Sequence, residues 1–345
     1  QLVSPAAPCH TPLMQRILND PNEMVDEMLA GYLSAHASSI KPTSNPRVLA
    51  RRDAPQSGRV GIVTGGGAGH NPAFLGYLGS GLVDTVAVGE VFSSPPARTF
   101  AHAIRAADGG AGVAVLFGNY AGDIMNVRMA REDAEDDGIP VATVLSHDDV
   151  FSAPPPERAK RRGAAGEVLM WKVGGAKAAT GASLDEVVAT TRRAVDNTCS
   201  AGIALGIGTI PAVGRPNVVI EPGTMEVGVG HAGEPGARTE PLVGADGMAE
   251  ICVEAILPDL PFAAGDRAAV LVSGLGATPV MELYIFYARV AELLRGAGIT
   301  INRPFVGNFF TSLDTNGVTL AVMKLDDELA ALVDTPCASE GLTVL

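Results

Sequence analysis

The chain has 345 residues, 47% of them hydrophobic and 18% charged, enough apolar content for two packed domains and too much for a disordered chain. A formal net charge of -13 repels phosphate backbones and anionic headgroups, which argues against nucleic-acid and membrane partners. Four scattered cysteines, Cys9, Cys199, Cys252 and Cys337, form no CxxC pair and fit free thiols in a reducing cytoplasm.

In chain order, residues 1–8 lack the charge-then-apolar pattern of a leader. Met24, Met28, Leu29 and Tyr32 recur at helical spacing and predict a helix over 21–36. The apolar runs 60–63, 83–88, 113–117 and 141–145 read as buried strands, with helices over 96–107 and 123–137 between them. That alternation predicts a largely parallel sheet covered by helices. Three consecutive prolines and a basic cluster mark 152–166 as an exposed loop, after which helical patterns resume at Glu167 and Ser183. The uncharged stretch 198–214 is broken by glycines and Pro211 and is too short to span a bilayer. Strands are then expected at 201–207, 217–220, 268–273, 300–306 and 317–323, with helices at 246–256, 279–296 and 326–333. The expected architecture is two α/β domains, residues 1–198 and 199–345, with parallel or mixed sheets covered by helices.

Four segments have unusual chemistry. Thr64-Gly-Gly-Gly-Ala-Gly-His70-Asn-Pro72 follows a strand, and its glycines let backbone N–H groups converge on a ligand. Pro72 suits the first turn of a helix, which would put His70 at a helix start at the carboxyl end of a strand. The spacing matches neither a dinucleotide fingerprint nor a Walker loop, and a plain structural turn fits the pattern equally well. Phe117-Gly118-Asn-Tyr-Ala-Gly-Asp123 also follows a strand, and Asp123 serves either as a helix N-cap or as an acid/base group. In Gly228-Val-Gly230-His231-Ala-Gly233, the flanking glycines suggest an accessible imidazole; a surface histidine and a metal ligand are the other readings. The hydroxyls of Asn308-Phe-Phe-Thr-Ser-Leu313 suit a ligand or a cap. His10, His36, His102 and His147 lack such surroundings.

Taken together, from about Asn19 to Asp334, these segments resemble the K subunit, or K domain, of dihydroxyacetone kinases. The anchors are Gly65–His70, Gly89–Pro95, Asn119–Asp123, Gly228–Gly236 and Gly307–Leu313. The resemblance implies that His231 adds to the C2 carbonyl of a short ketose as a hemiaminal. It makes His70 and Asp123 the acid/base pair, and Gly67, Ala68 and Gly69 the substrate cradle. It implies no cofactor on this chain, ATP/ADP-Mg on an L-type partner subunit or further domain, and a homodimer. Where the family usually carries a lysine at the sugar site, this chain has Gly118. That loss of a donor, with Phe74 in place of a usual histidine, predicts a wider pocket open to a four-carbon ketose such as erythrulose. A sugar-sensing regulator without turnover is the remaining alternative.

Overall fold

The computed structural model describes residues 16–345 apart from Asn217, so the reading of residues 1–8, together with His10 and Cys9, lies outside the described residues. The first half runs α1 (Met24–Ala35), β1 (Ile40–Pro42), β2 (Val48–Arg51), β3 (Gly61–Ala68), β4 (Thr85–Val91), α2 (Ala97–Ala107), β5 (Val113–Gly118), α3 (Ala121–Asp136), β6 (Val141–Ser146), α4 (Gly166–Ala179) and α5 (Leu184–Asp196). The second runs β7 (Thr198–Gly206), β8 (Thr224–Val227), β9 (Arg238–Pro241), α6 (Ala245–Ile256), β10 (Arg267–Gly274), α7 (Val280–Gly296), β11 (Thr300–Gly307), β12 (Asn316–Leu325) and α8 (Asp327–Asp334).

The first sheet has the order β1-β2-β4-β3-β5-β6, parallel from β4 to β6 and antiparallel at β1 and β2. The second has the order β11-β10-β12-β7-β8-β9 and is antiparallel except between β10 and β11. Helices α2 and α3 cover the outer face of the first sheet, where Phe100, Ile104, Val115 and Phe117 pack. Helices α6 and α7 cover the outer face of the second, over Val270, Val272 and Leu320. Between the sheets lie α4, α5 and α8, in one core that takes Leu116 and Val144 from the first sheet and Leu271 and Met323 from the second. Helix α4 is buried almost along its length, so it shows no polar stripe. Its Lys172 reaches that core by donating Nζ–H bonds to the carbonyls of Leu332 and Thr335 at 2.8 and 2.7 Å.

Several expectations are corrected. The strand expected to end at Val63 continues as β3 through all three glycines to Ala68. No α-helix starts at Pro72; a short 3-10 turn over Leu75–Tyr77 follows instead, so His70 is not at a helix N-terminus. Residues 218–220 join no strand; the second sheet takes Thr224–Val227 and the polar hairpin strand Arg238–Pro241, which lacks a clear alternating signal. The 152–166 loop is exposed only in part, because Arg161 is fully buried against Asp259 at 2.6 Å and Gly163 to Ala165 pack inside. Among the described residues, no helix is long and apolar enough to cross a membrane.

Candidate active site

Strands β4, β3, β5 and β6 are parallel and adjacent in that order, so the chain passes from β3 to its neighbour on one flank and from β5 to its neighbour on the other. Open α/β sheets form a crevice at such a switch point, beyond the carboxyl ends of the strands. A small cleft lies there, lined by Gly65–Gly67 of β3, Phe92–Ser94 after β4, Gly118 at the end of β5, Tyr120 and Asp123 beyond it, and Glu167. The second half closes it with His231, Ala232 and Phe310.

The glycines of β3 act through what they lack. A Cβ on Gly67 would fall 2.5 Å from the Ser93 backbone nitrogen, so the chain after β4 can cross the strand end only because that atom is missing. Gly67 lines the cleft, whereas Ala68 and Gly69 do not. Their carbonyls instead accept from the backbone N–H groups of Phe92 and Leu313, at 3.0 and 2.7 Å, and the second of these bonds fastens the two halves around the site.

His70 is buried, stacked at 5.0 Å on Phe92 and tilted at 5.2 Å against Phe310. Its Nδ1 lies 2.8 Å from the Thr311 carbonyl. A carbonyl only accepts, so Nδ1 carries the proton and Nε2 keeps a free lone pair. Burial pulls its pKa down to about 4, against the Thr311 bond, and the ring is neutral at pH 7.

His231 is only 3% exposed, which corrects the expectation of an accessible imidazole on a strand-like surface segment. The segment leaves β8 and turns inward, setting the ring edge-on to Phe310 at 4.8 Å, with Nε2 3.4 Å from the Thr319 hydroxyl of β12. Flanking glycines here permit close packing: a Cβ on Gly228 would lie 2.5 Å from Phe151. Burial, followed by the charges of His70 and Arg162, lowers its pKa to about 3. A nucleophilic imidazole must be neutral, and this one stays so far below its ordinary range.

Asp123 does not cap its helix. Tyr120 is the N-cap of α3, and Asp123 lies in the first turn, half-buried, accepting a 2.8 Å bond from the Ser94 hydroxyl. Asn126 donates in turn to Ser94 Oγ at 3.1 Å. Burial raises the Asp123 pKa to about 6, opposed by the Ser94 bond and its own backbone N–H, which suits a base working near neutrality.

At Gly118 the expected opening is filled. The carboxyl of Glu167 occupies it, and a Cβ on Gly118 would sit 2.4 Å from Glu167 Oε1. Phe74 fills the other widened position, its ring lying beneath Gly66. Glu167 escaped the sequence reading; its one signal was being the single acid of a helix built mostly of small and apolar residues. Phe310 and Thr311 sat in a singled-out segment, but their roles as the wall between two imidazoles and as the His70 acceptor come from the fold. Among the described residues, no three His, Cys, Asp or Glu side chains cluster to hold a metal ion.

Comparison with known proteins places this geometry in context. The Dak1 domain model matches residues 30–341. The chain belongs to the Dak1 domain family. It is 42% identical, over 94% of its length and 98% of the relative's, to the PTS-dependent dihydroxyacetone kinase 2, dihydroxyacetone-binding subunit DhaK of Listeria innocua. It is 39% identical to a D-erythrulose kinase of Mycolicibacterium smegmatis, matching over 95% of this chain and 57% of that protein. Among solved structures, the dihydroxyacetone kinase operon co-activator Dha-DhaQ superposes with a TM-score of 0.85 at 30% identity, covering 92% of this chain and 98% of that one. The Dak1 fold thus serves both kinase components and a regulator.

Proposed function

We propose that this chain is the substrate-binding subunit of a short-chain ketose kinase of the dihydroxyacetone type. The observation that carries the reading is the convergence of His231, His70 and Asp123, from three distant stretches, on one cleft beside Phe310. A neutral His231 ring nitrogen bonds to the C2 carbonyl carbon and the π pair moves to oxygen. The imidazole's other nitrogen gives up its proton, and the carbonyl oxygen takes one up, leaving a hemiaminal. A sugar of three or four carbons offers few atoms for tight binding, and a reversible covalent bond both fixes it and excludes polyols that lack a carbonyl.

Held in this way, the ketose presents a hydroxyl to Asp123, which accepts its proton, with the His70 Nε2 lone pair on the other side. Positioning and proton acceptance are this chain's part of phosphoryl transfer, which depends chiefly on alignment and charge stabilisation. The phosphoryl donor, an ATP/ADP–Mg nucleotide, belongs on an L-type subunit or domain. Near the cleft, α3 exposes Ile124, Met125 and Met129, an apolar face suited to that partner. A second exposed apolar face, Val280, Met281, Tyr284 and Ile285 of α7, suits a second copy of the chain.

The test is detection of a ketose adduct on His231, crystallographically or by isotope-edited NMR, with glycerol as the control. An adduct with dihydroxyacetone or erythrulose and none on a His231→Ala variant supports the proposal; ketose held without a covalent bond overturns it. The Dha-DhaQ likeness favours a second reading, a sugar-sensing regulator on the same site. Phosphoryl transfer to the ketose in the presence of an L-type partner separates the two.

A further inference from the structure

Glu167 is the most unusual group lining the cleft. It is 1% exposed, its Oε2 has no hydrogen-bond partner, and no basic side chain pairs with it among the described residues. Its carboxyl rests on two glycines, since Cβ atoms on Gly118 and Gly163 would fall 2.4 and 2.6 Å from Oε1. The neighbouring chain is pinned: Tyr120 donates its hydroxyl to the Gly163 carbonyl at 3.0 Å, and Asn119 Nδ2 donates to the carbonyls of Ala159 and Arg161. Two side chains are thus absent at the points where one carboxyl needs room. A buried polar atom left without a partner is costly, and such groups are retained where a ligand completes them.

We infer that Glu167 is a specificity-determining residue of the cleft, hydrogen-bonding a hydroxyl of the bound ketose from the Gly118 side. This rests on the reading of the cleft as a ketose site. Burial, then the charges of Asp148 and Asp123, push the acid well above its ordinary range and favour the protonated form, which can both donate and accept. A hydroxyl is the matching group, because it too does both. A charged ammonium or phosphate is a poorer match for a neutral acid in a site this closed. The usual lysine of the family would only donate, so an acid here reads the hydroxyl through a different bond.

A polar group aimed at a substrate hydroxyl discriminates strongly against the analogue that lacks it. The experiment compares dihydroxyacetone with hydroxyacetone, which lacks one hydroxyl, as the ratio of Kd values for wild type, Glu167→Gln and Glu167→Leu. The inference expects a wild-type preference for dihydroxyacetone of at least about tenfold. Glu167→Gln, which can still donate and accept, keeps most of it, and Glu167→Leu brings the ratio near one. Both variants should be at least as thermally stable as wild type, because each removes an unpaired buried acid. A ratio unchanged in a folded Glu167→Leu variant that still binds ketose overturns the inference alone. A wild-type protein that binds neither ketone overturns the ketose reading, and the inference with it. If Glu167→Leu does not fold, 13C NMR of a labelled Glu167 carboxyl in the wild type decides: a shift on adding dihydroxyacetone, absent with hydroxyacetone, supports the contact, and an equal shift with both, or none with either, overturns it.

Discussion

The ring of Phe310 stands edge-on to the imidazole of His231, with 4.8 Å between centroids, and the same phenyl lies tilted against His70 at 5.2 Å. One aromatic side chain therefore keeps two histidines dry and apart. Phe310 is itself backed by Phe74 and Trp171 at 5.6 and 6.1 Å. Phe310→Ala should cost about 3–5 kcal/mol of stability, as for other buried aromatics cut to alanine. Water entering the space should raise both histidine pKa values toward 6.5. NMR titration of the ring protons checks this; pKa values still near 3 and 4 in a folded variant would show that the phenyl is not what excludes water.

His231→Ala is expected to remove the covalent adduct and weaken ketose binding sharply. Because the ring is buried against Phe310, the variant should also lose about 1–3 kcal/mol of stability, unlike a change on a surface loop. His231→Asn, closer in size and polarity, separates the effects: it should recover part of the stability and none of the adduct. Calorimetric titration beside a thermal melt gives both readings. Tight ketose binding by either folded variant would exclude covalent capture at this residue.

Asp123 and His231 should separate binding from turnover in their pH dependence. His231, with a pKa lowered to about 3, remains neutral and nucleophilic down to roughly pH 4, so ketose affinity should be nearly flat from pH 8 to 5. Asp123, with a pKa raised to about 6, is protonated below that value and can no longer accept the hydroxyl proton. Transfer should therefore fall as pH drops through about 6 while Kd holds. Asp123→Asn should lower transfer by at least about a hundredfold and leave binding nearly unchanged. His70 and Glu167 also line this cleft, so the titration should be repeated in Glu167→Gln to isolate Asp123. A pH profile of turnover unaltered by Asp123→Asn would place the base elsewhere.

Most of the fold was legible because its parallel strands are short apolar runs separated by helical periodicity. The segments around His70, Asp123 and His231 also stood out by composition. The failures have physical causes. The glycines at 65–67 read as a turn because glycine is disfavoured in strands, yet close approach by Ser93 and Phe74 makes glycine necessary there. His231 read as exposed because its sequence neighbours are small, but its contacts, Phe310 and Thr319, lie far along the chain. Gly118 read as empty space because the side chain that fills it, Glu167, comes from a helix far along the chain.

That last relationship is testable as a coupling between two residues. A methyl group on Gly118 would meet Glu167 Oε1 at 2.4 Å, well inside contact distance. Gly118→Ala alone should destabilise the protein by about 1–3 kcal/mol, the usual cost of overpacking. In a Glu167→Ala background only the milder 3.1 Å approach of Tyr120 Cδ2 remains, and the same substitution should cost much less. The double-mutant cycle, measured by denaturant unfolding, should give an interaction term of about 1 kcal/mol or more. Additive effects would mean that the carboxyl can move aside freely and does not define the cleft wall.

The exposed face of α3 offers a different kind of test, because it lies outside the cleft. Ile124, Met125 and Met129 follow directly on Asp123, with Met125 52% and Met129 51% exposed. Exposed apolar side chains beside a reacting group suit the docking of whatever delivers the phosphoryl group, and flexible methionines adapt to a partner's surface. Met125→Glu adds a charge to that face and touches no residue assigned to the sugar. Ketose affinity and thermal stability should stay within error of wild type. The concentration of L-type partner needed for half-maximal transfer should rise at least about tenfold, as for loss of a contact near the centre of an interface. Loss of ketose binding would assign Met125 to the sugar site instead. An unchanged partner requirement would move the docking surface to another face of the chain.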